Sequence, residues 1–418
     1  MRELNKHQKN FPTIEDIFRA RDLLNSEKSI IKTPLQRSDT FSKLTGTNIY
    51  LKLECLQRTG SFKSRGASVK INALSQEQGK HGVIAASKGN HAQGVAYAAS
   101  RKNIPCTIVM PTDVSPAKVA ATKSYGAKIV LQGSDFDEAS NLAEEIAKEE
   151  SRTLVHAFDD PQIISGQGTI GLELLEDLPE LDKVYVPIGG GGLAAGIAIA
   201  IKTKKPNVKI IGVESNAFPA MKESLAKGSL QSIKAGHTIA DGISIKSPSN
   251  LTYEIANEYL DEVVTIDDSS IVRTMFLLME RSKLVVEPAG AASLAYLISN
   301  RRHTSSNNNK NGNVVALLSG GNVDMYLLGQ VVAKGLMQMD RMLKIFIQLP
   351  DKPGALKRVV DGITEQNINI VEVVHDRLSS NISAGTAGVY LSLEMENENN
   401  AERLIEFLKK KRIEFKVY

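Results

Sequence analysis

The chain has 418 residues, enough for two or three domains, and its 42% hydrophobic and 23% charged residues are typical of a globular protein. The net charge of +4, from 51 basic and 47 acidic residues of interspersed sign, gives no indication of binding to nucleic acid or an anionic membrane. The chain has two cysteines without Cys–His spacing, which argues against a disulfide framework or a zinc site. Because no membrane span or signal peptide is recognisable in the sequence, we expect a cytoplasmic protein.

The first part of the chain predicts a helix, a strand and a second helix that begins near a lysine. Residues 13–25 start with a capping threonine and carry apolar residues on one side, and residues 48–54 alternate like a strand. The Gly60-Ser61 pair predicts a tight turn and the N-cap of a helix. Lys63 then falls in the first helical turn, where the helix dipole favours the neutral amine that condenses with a carbonyl.

Short apolar runs, small-residue turns and amphipathic helices then alternate. This alternation predicts parallel sheets covered by helices on both faces, in which ligands bind beyond the carboxyl ends of the strands. A low-complexity segment at residues 301–312 is interpreted as an exposed loop. The apolar runs are residues 83–86, 106–110, 127–131, 154–158, 184–188, 210–213 and 314–318.

Three of these predicted strands end in unusual turns, of which the glycine-rich one has two interpretations. It opens a helix of small residues, and side-chain-free amides at a helix N-terminus form a phosphate cradle. The same run fits a dinucleotide-binding pattern, with Glu214 at the end of the next strand, so this turn alone leaves a dinucleotide oxidoreductase open. The residues of the turn are Gly189, Gly190, Gly191, Gly192 and Leu193.

The other two turns offer donors suited to a heteroaromatic ring. Ser87 and Asn90 can hold a phenolate oxygen and a substrate carboxylate, and His91 is either a proton carrier or a hydrogen-bonding residue at a helix start. Ser319 can hydrogen-bond a ring nitrogen without forcing its protonation. With Lys63 and the phosphate cradle, these groups predict a site for pyridoxal 5'-phosphate.

Six motifs together resemble those of the threonine dehydratases (threonine ammonia-lyases) of the fold-type-II pyridoxal-phosphate family. The resemblance covers roughly residues 13–335 and implies a two-lobed α/β catalytic domain with parallel or mixed sheets at residues 1–338, whose small lobe comprises roughly residues 48–158. The motifs are residues 61–67, 87–94, 189–193, 240–243, 287–291 and 319–322.

The resemblance implies a role for residues in five of these six motifs. Lys63 is expected to hold the cofactor covalently and to act as the catalytic base, with Phe62 covering the ring face. Asn90 is expected to bind the ring hydroxyl, the turn 189–193 the phosphate and Ser319 the ring nitrogen. Two further assignments concern substrate and ring: Ser87, Asn90 and His91 would hold the substrate carboxylate, and Glu287 would be a polar wall near the ring or an ordinary helix N-cap.

The implied reaction is β-elimination of L-threonine to 2-oxobutanoate and ammonia, or of L-serine to pyruvate, in isoleucine biosynthesis or threonine catabolism. Alternatives within the family are a dehydratase with racemase activity and a hydroxyaspartate dehydratase. A non-catalytic amino-acid sensor is the alternative of a different class. Related racemases often have a second acid in a metal loop after the residue that corresponds to Glu214, and this chain lacks it, so we expect no divalent metal while a monovalent cation stays open.

Residues 343–418 change to the order strand, helix, strand, strand, helix, strand, which predicts a ferredoxin-like βαββαβ module. The module resembles an ACT domain, and a catalytic domain with one such module resembles the medium-length form of the enzyme. Pro353 and Gly354 open a helix with room for the carboxylate of an amino-acid effector, whose identity or existence stays open. Because ACT modules commonly pair, we expect a homodimer or homotetramer.

Overall fold

The computed structural model describes residues 11–234, 236–300, 312–380, 382–396 and 398–418. Its contacts divide the chain into two compact units, of which the first ends at Asp324 and the second comprises Met325–Tyr418. The domain boundary that the sequence suggests, at residues 339–342, lies one helix further along the chain. Most of the loop predicted at residues 301–312 lies outside the described residues.

Helices and strands alternate along the first unit, as the apolar runs predict. Its helices are α1 (Ile14–Ser26), α2 (Asp39–Thr45), α3 (Lys63–Asn72), α4 (Gln76–His81), α5 (Asn90–Arg101), α6 (Pro116–Ser124), α7 (Phe136–Glu149), α8 (Pro161–Asp177), α9 (Gly192–Lys204), α10 (Ala220–Lys227), α11 (Asn250–Tyr259), α12 (Asp268–Leu277) and α13 (Pro288–Ser299). Its strands are β1 (Leu35–Arg37), β2 (Asn48–Lys52), β3 (Val83–Ala86), β4 (Cys106–Met110), β5 (Lys128–Leu131), β6 (Thr153–Leu154), β7 (Leu181–Pro187), β8 (Lys209–Ser215), β9 (Glu262–Ile266) and β10 (Asn313–Leu317).

A large sheet in the order β1-β2-β10-β7-β8-β9 forms the centre of the first unit. All neighbouring strands are parallel except β1 and β2, which are antiparallel. Val184, Ile210 and Val315 are fully buried in its core, which α8 and α9 help to form. Because β2, β10 and β7 are parallel neighbours, the turns that follow them lie side by side at one edge of the sheet.

A second, all-parallel sheet in the order β5-β4-β3-β6 forms the small lobe. Val83 and Ile108 of this sheet are fully buried together with Val95 of α5. The strands β3 and β4 have the bounds that their apolar runs predict. The predicted α/β class with two parallel or mixed sheets is therefore confirmed.

Helix α3, which begins at Lys63, is fixed by close contact with α8. A β-carbon on Gly166 would lie 2.5 Å from the Cα atom of Gly66, so the two helix backbones touch where both residues are glycine. The side-chain oxygen of Gln167 also accepts a hydrogen bond from the backbone N–H of Gly66, at 3.3 Å. These contacts hold the first turns of α3 against the core.

The second unit begins with a helix and continues as a ferredoxin-like module. Its sheet has the order β12-β13-β11-β14 with antiparallel neighbours, so the predicted βαββαβ order is confirmed. Among the described residues of the whole chain, none of the helices is both long and apolar enough to cross a membrane. The elements of this unit are α14 (Met325–Gln338), β11 (Met342–Pro350), α15 (Ala355–Glu365), β12 (Asn369–Asp376), β13 (Thr386–Glu394), α16 (Glu398–Lys410) and β14 (Glu414–Val417).

Candidate active site

Lys63 lies in the first turn of α3, as the sequence predicts, and is the first residue of that helix, but the helix is not capped by Ser61. The N-cap is Phe62, which makes no side-chain cap hydrogen bond, and the Ser61 hydroxyl is buried without a partner among the described residues. The Lys63 amine donates to the carbonyl oxygen of Ala157 at 2.7 Å and lies 5.3 Å from the centroid of the Phe62 ring.

Burial, opposed in part by the charge of Glu287, lowers the pKa of the Lys63 amine from its usual value of 10.5 to about 8. A desolvated ammonium loses its hydration shell, so the neutral amine is favoured. The prediction of an easily deprotonated amine therefore agrees with this environment, but the cause differs: the sequence suggested the helix dipole, whereas burial dominates here.

The glycine-rich turn after β7 lies beside residues 157–158, where the carbonyl oxygen of Ala157 accepts the hydrogen bond of the Lys63 amine. Gly191 has a φ of +91° and is the N-cap of α9, which begins at Gly192 without a side-chain cap hydrogen bond. A β-carbon on Gly190 would lie 2.2 Å from the ring of Phe158, the residue after Ala157. The backbone amides at the start of α9 thus lie near Lys63, with no side chain at 190–192 to shield them from an anion.

Ser319 follows β10, the strand between β2 and β7, and it is buried. Its carbonyl oxygen accepts a hydrogen bond from the backbone N–H of Phe62 at 3.1 Å, and the N–H of Gly321 donates to the carbonyl oxygen of Gly60 at 2.8 Å. These bonds tie the turn 319–322 to the start of α3. The structure therefore brings Ser319 next to Phe62 and Lys63.

Asn90 begins α5 in the small lobe and contacts the large-sheet side of the site. Its amide nitrogen donates to Oε1 of Glu287 at 2.6 Å. Glu287 is the N-cap of α13 but makes no side-chain cap hydrogen bond. Burial, with a further contribution from Asp241, raises the pKa of the Glu287 carboxyl to about 8, although Asn90, Lys118 and Lys63 oppose this shift.

Ser87 and His91 flank Asn90 but are already engaged within the small lobe. The Ser87 hydroxyl oxygen accepts from the backbone N–H of Gly89 at 3.1 Å. The Nε2 atom of His91 lies 2.8 Å from the carbonyl oxygen of Val155, and Nδ1 is buried without a partner among the described residues. Burial, followed by the charge of Lys63, lowers the pKa of His91 to about 3, which argues against the proton-carrier alternative.

A buried cluster of four charged side chains beneath α3 has no counterpart in the sequence prediction. Arg65 donates through Nε to Oε2 of Glu54 at 2.8 Å and through Nη1 to Oε1 of Glu173 at 2.6 Å. Lys52 donates to Oε2 of Glu173 at 2.5 Å. One feature of the sequence could have indicated this cluster. Lys52 and Glu54 are oppositely charged residues at the end of a core strand, and buried charges occur in pairs.

Glu214 is the second-to-last residue of β8, and its carboxylate accepts from the backbone N–H groups of Met221 at 2.8 Å and Lys222 at 2.9 Å. Burial raises the pKa of this carboxyl to about 7. In the part of the chain that the structure describes, no group of three or more His, Cys, Asp and Glu side chains is arranged to hold a metal ion. The absence of a divalent metal stays a prediction.

The regulatory residues predicted in the second unit lie at the start of α15. Gly354 is the N-cap of this helix with a φ of +83°. Pro353 and Gly354 line a cavity of about 290 Å³ together with Asp351, His375 and Arg377. Arg377 donates through Nε to Oδ1 of Asp351 at 2.9 Å. The cavity therefore has basic side chains beside a helix N-terminus, a combination that suits a carboxylate.

Four groups of the first unit lie together at the carboxyl ends of the strands of the large sheet. They are a weakly basic amine, a glycine-rich helix start, a side-chain amide and a hydroxyl. The donor set fits a phosphorylated aromatic aldehyde: the amine for the carbonyl, backbone amides for the phosphate, and Asn90 and Ser319 for the polar atoms of a ring. The arrangement of Lys63, Asn90, the turn 189–193 and Ser319 thus suits pyridoxal 5'-phosphate. A dinucleotide would use only the glycine-rich turn.

Comparison with known proteins leads to the same cofactor. A family model described as "Pyridoxal-phosphate dependent enzyme" matches residues 27–320. The L-threonine ammonia-lyase of Thermotoga maritima is 42% identical over 395 residues, which are 94% of this chain and 96% of the relative. The solved structure of the processed form of threonine deaminase isoform 2 from Solanum lycopersicum has a TM-score of 0.72 and 35% identity, covering 77% of this chain and 93% of that one. Maize serine racemase has a TM-score of 0.72 and 34% identity, covering 78% and 99%.

Proposed function

Because this chain belongs to the family of pyridoxal-phosphate dependent enzymes, we propose that it is an L-threonine ammonia-lyase. The reaction removes the α-proton and the β-hydroxyl of L-threonine and releases 2-oxobutanoate and ammonia. The observation that carries the proposal is the partly buried Lys63 amine, of lowered pKa, at the edge of the large sheet, in a chain similar over nearly its whole length to an L-threonine ammonia-lyase. L-Serine, which differs by one methyl group, would yield pyruvate in the same way.

Lys63 has two roles in this proposal. Its amine would hold the cofactor covalently, and in its free form the same amine would accept the α-proton of the substrate. A pKa of about 8 leaves a useful neutral fraction of this amine near neutral pH, which an exposed lysine would lack. When bound, the cofactor would supply a conjugated ring system that accepts the electrons of the α-carbon.

Three other groups orient the cofactor. The backbone amides at the start of α9 bind its phosphate, the amide of Asn90 its ring hydroxyl and the hydroxyl of Ser319 its ring nitrogen. A hydroxyl at Ser319 does not stabilise a charged ring nitrogen as a carboxylate would, so the electron acceptor is a modest one. A modest acceptor would suit elimination of the β-hydroxyl. Phe62 covers one face of the ring.

The substrate carboxylate is bound by the start of α5 in this proposal. Ser87, Asn90 and His91 lie at or next to the N-terminus of that helix, where backbone N–H groups and the helix dipole favour an anion. The ring of His91 is neutral, since its pKa is lowered to about 3, and its N–H faces the carbonyl oxygen of Val155, so His91 would contribute through its backbone N–H in the first turn of α5. The carboxylate then lies on the small-lobe side of Lys63, whose backbone α5 approaches closely at Gly94.

Replacing Lys63 with alanine tests the proposal directly. Lys63→Ala should lose the visible absorption of the covalently bound cofactor and the release of 2-oxobutanoate from L-threonine. Lys43→Ala, an exposed lysine in the last turn of α2, is the matched control and should keep both. Borohydride reduction and peptide mapping should place the reduced cofactor on Lys63. Normal turnover by Lys63→Ala, or the cofactor on another peptide, would refute the proposal.

A second candidate is a serine/threonine dehydratase with racemase activity, which the similarity to maize serine racemase favours. The two candidates share the cofactor site, so substrate profiling must separate them. L-Threonine, L-serine and D-serine are incubated with the holoenzyme, and keto acid and D-amino acid are measured. Formation of D-serine from L-serine at a rate comparable to keto-acid release would replace the first candidate by the second.

We also propose that the cavity of the second unit binds an amino-acid effector through its carboxylate, and that the chain forms a homodimer or homotetramer. The N-terminus of α15 and the basic side chain of Arg377 support the effector site. Isoleucine and valine are titrated into the threonine assay with the wild type and with Arg377→Ala. A response in the wild type alone would support the site, and a flat response in both would refute it.

Two other predictions have their own measurements. Analytical sedimentation of the purified protein tests whether it is a homodimer or homotetramer. Cell fractionation tests the predicted cytoplasmic location.

A further inference from the structure

The amide of Asn90 is hydrogen-bonded on two sides. Its nitrogen donates to Oε1 of Glu287 at 2.6 Å, and its oxygen accepts from the amide nitrogen of Asn322 at 2.8 Å. The nitrogen of Asn322 also donates to the backbone carbonyl oxygen of Thr59 at 2.7 Å. Four residues from four separate parts of the chain are thus joined in one row.

The orientation of both amides follows from the last of these contacts. A backbone carbonyl oxygen can only accept a hydrogen bond, so the group of Asn322 that faces Thr59 must be its NH₂. The two hydrogens of that NH₂ are then used by Thr59 and Asn90. A reversed Asn90 amide would place two NH₂ groups face to face at 2.8 Å, which no proton arrangement satisfies.

The surrounding glycines leave room for this row of contacts. Gly60 has a φ of +73°, and a β-carbon on it would lie 2.4 Å from Oδ1 of Asn322. A β-carbon on Gly320 would lie 2.2 Å from Oε1 of Glu287 and 3.2 Å from Nδ2 of Asn90. Side chains at either position would displace the groups that hold Asn90, so the two turns and the row of hydrogen bonds form one unit.

We propose that Asn322 is a positioning residue that fixes the amide of Asn90 with its NH₂ towards the cofactor side of the site. One N–H of Asn90 is used by Glu287, and the other remains to donate to the ring oxygen of pyridoxal 5'-phosphate. The reversed amide would present an oxygen to an oxygen there. This proposal rests on the cofactor of the family and not on the proposed substrate, so a failure of threonine turnover leaves its test intact.

The test is the substitution Asn322→Asp, which keeps the size of the side chain and replaces its NH₂ by an acceptor. The Asn90 oxygen would then face the introduced carboxylate, so its amide is expected to reverse and to turn its oxygen towards the cofactor, with the protonated carboxyl of Glu287 as the donor on that side. Apoprotein is titrated with pyridoxal 5'-phosphate, and the apparent Kd should rise about 10- to 100-fold, which corresponds to about 1.4–2.8 kcal/mol. The visible band of the bound cofactor should also change in wavelength.

Asn313→Asp is the matched control at the opposite end of β10. Asn313 also donates through its side-chain amide to a backbone carbonyl, that of Glu180, at 2.8 Å. This variant loses a comparable hydrogen bond but should bind the cofactor with the affinity of the wild type. Urea unfolding of each apoprotein, followed by circular dichroism, separates a lost cofactor contact from a lost fold.

A double-mutant cycle with Asn90→Ala shows whether Asn322 acts through Asn90. If it does, Asn322→Asp should change the apparent Kd of Asn90→Ala by less than about threefold, because the residue to be oriented is gone. Wild-type affinity and spectrum in Asn322→Asp, or an undiminished loss in the Asn90→Ala background, would overturn the proposal. Asn322→Ala, which removes the donors without adding a charge, takes the place of Asn322→Asp in the cycle if the latter does not fold.

Discussion

Replacing Arg65 with methionine should destabilise the first unit severely, because it breaks the buried charge cluster beneath α3. The Arg65 guanidinium is completely buried and donates to Glu54 at 2.7 and 2.8 Å and to Glu173 at 2.6 and 3.0 Å. Methionine has a similar length but no charge. The two carboxylates would then share the single cation Lys52, which in the wild type bonds only Glu173 of the pair.

The size of the effect follows from the burial of the cluster. Removing one partner of a buried ion pair leaves an uncompensated charge and costs about 3–5 kcal/mol, whereas an exposed pair contributes about 0–1 kcal/mol. We therefore expect the free energy of unfolding at pH 7 to fall by about 3–5 kcal/mol in Arg65→Met. Arg19→Met is the control, since the Arg19 side chain is 73% exposed in its pair with Asp16 and its loss should cost under about 1 kcal/mol.

The pH dependence gives this prediction a second, independent check. Burial would raise the pKa of Glu54, but the charge and hydrogen bonds of Arg65 outweigh it and hold the pKa below its usual value of 4.5. The stabilisation by Glu54 is present above that usual value and is lost as the pH falls through the lowered pKa. The difference between wild type and Arg65→Met should therefore shrink as the pH falls below about 4.

Urea unfolding of the apoprotein, followed by circular dichroism at pH 7 and at acidic pH, measures these differences. The control variant Arg19→Met, which lacks an exposed ion pair, is unfolded in urea at the same pH values. A loss under about 1 kcal/mol in Arg65→Met at pH 7, no larger than that of Arg19→Met, would refute the reasoning. It would mean that water reaches the carboxylates or that the rest of the cluster rearranges without cost.

Three further predictions concern the site itself. The rate at which apoprotein captures pyridoxal 5'-phosphate should rise through a midpoint near pH 8, since the pKa of Lys63 is about 8, and a midpoint near 10.5 in stopped-flow absorbance would contradict this. Gly190→Ala, whose β-carbon would lie 2.2 Å from the Phe158 ring, should weaken cofactor binding at least about tenfold, while Gly79→Ala, with 3.7 Å to its nearest neighbour, should not. Because the pKa of Glu287 is raised to about 8 in the folded protein, the wild-type apoprotein should lose stability as the pH rises from about 4.5 to about 8. Glu287→Gln should remove this fall in Tm. Parallel Tm profiles of the two proteins would exclude this role for Glu287.

The sequence predicts those elements of the fold that depend on local patterns. Strands β3 and β4 are buried throughout and apolar except at Thr107, so their apolar runs mark their bounds. Strand β1 was not predicted, because its three residues Leu35–Arg37 are mostly exposed and it forms by antiparallel pairing with β2. The N-cap of α3 was predicted at Ser61, but the turn is set by backbone pairing of Phe62 with Ser319, a residue far away in sequence.

The motifs of the site could also be recognised in the sequence, whereas their mutual contacts could not. The glycines at 189–192 and the lysine at 63 stand in local patterns that have a chemical meaning by themselves. The bond between Asn322 and Asn90 joins residues 232 positions apart and exists only because two turns of different lobes meet. The lowered pKa of Lys63 likewise depends on burial, which a helix-dipole argument from the sequence does not capture.

Besides the hydrogen bonds of Asn90, exposed ion pairs also join the two lobes of the first unit, and each of them is much weaker than the buried cluster beneath α3. Lys118 of α6 pairs with Asp241 at 2.6 Å, and Lys246 pairs with Asp137 of α7 at 2.5 Å, all with side chains at least 22% exposed. Exposed pairs of this kind contribute at most about 1 kcal/mol each and are screened by salt. The Lys118–Asp241 pair also influences the pKa of Glu287, so it lies close to the site. Breaking both pairs would therefore cost at most about 2 kcal/mol, whereas the hydrogen bonds of Asn90 with Glu287 and Asn322 would continue to join the two lobes at the site.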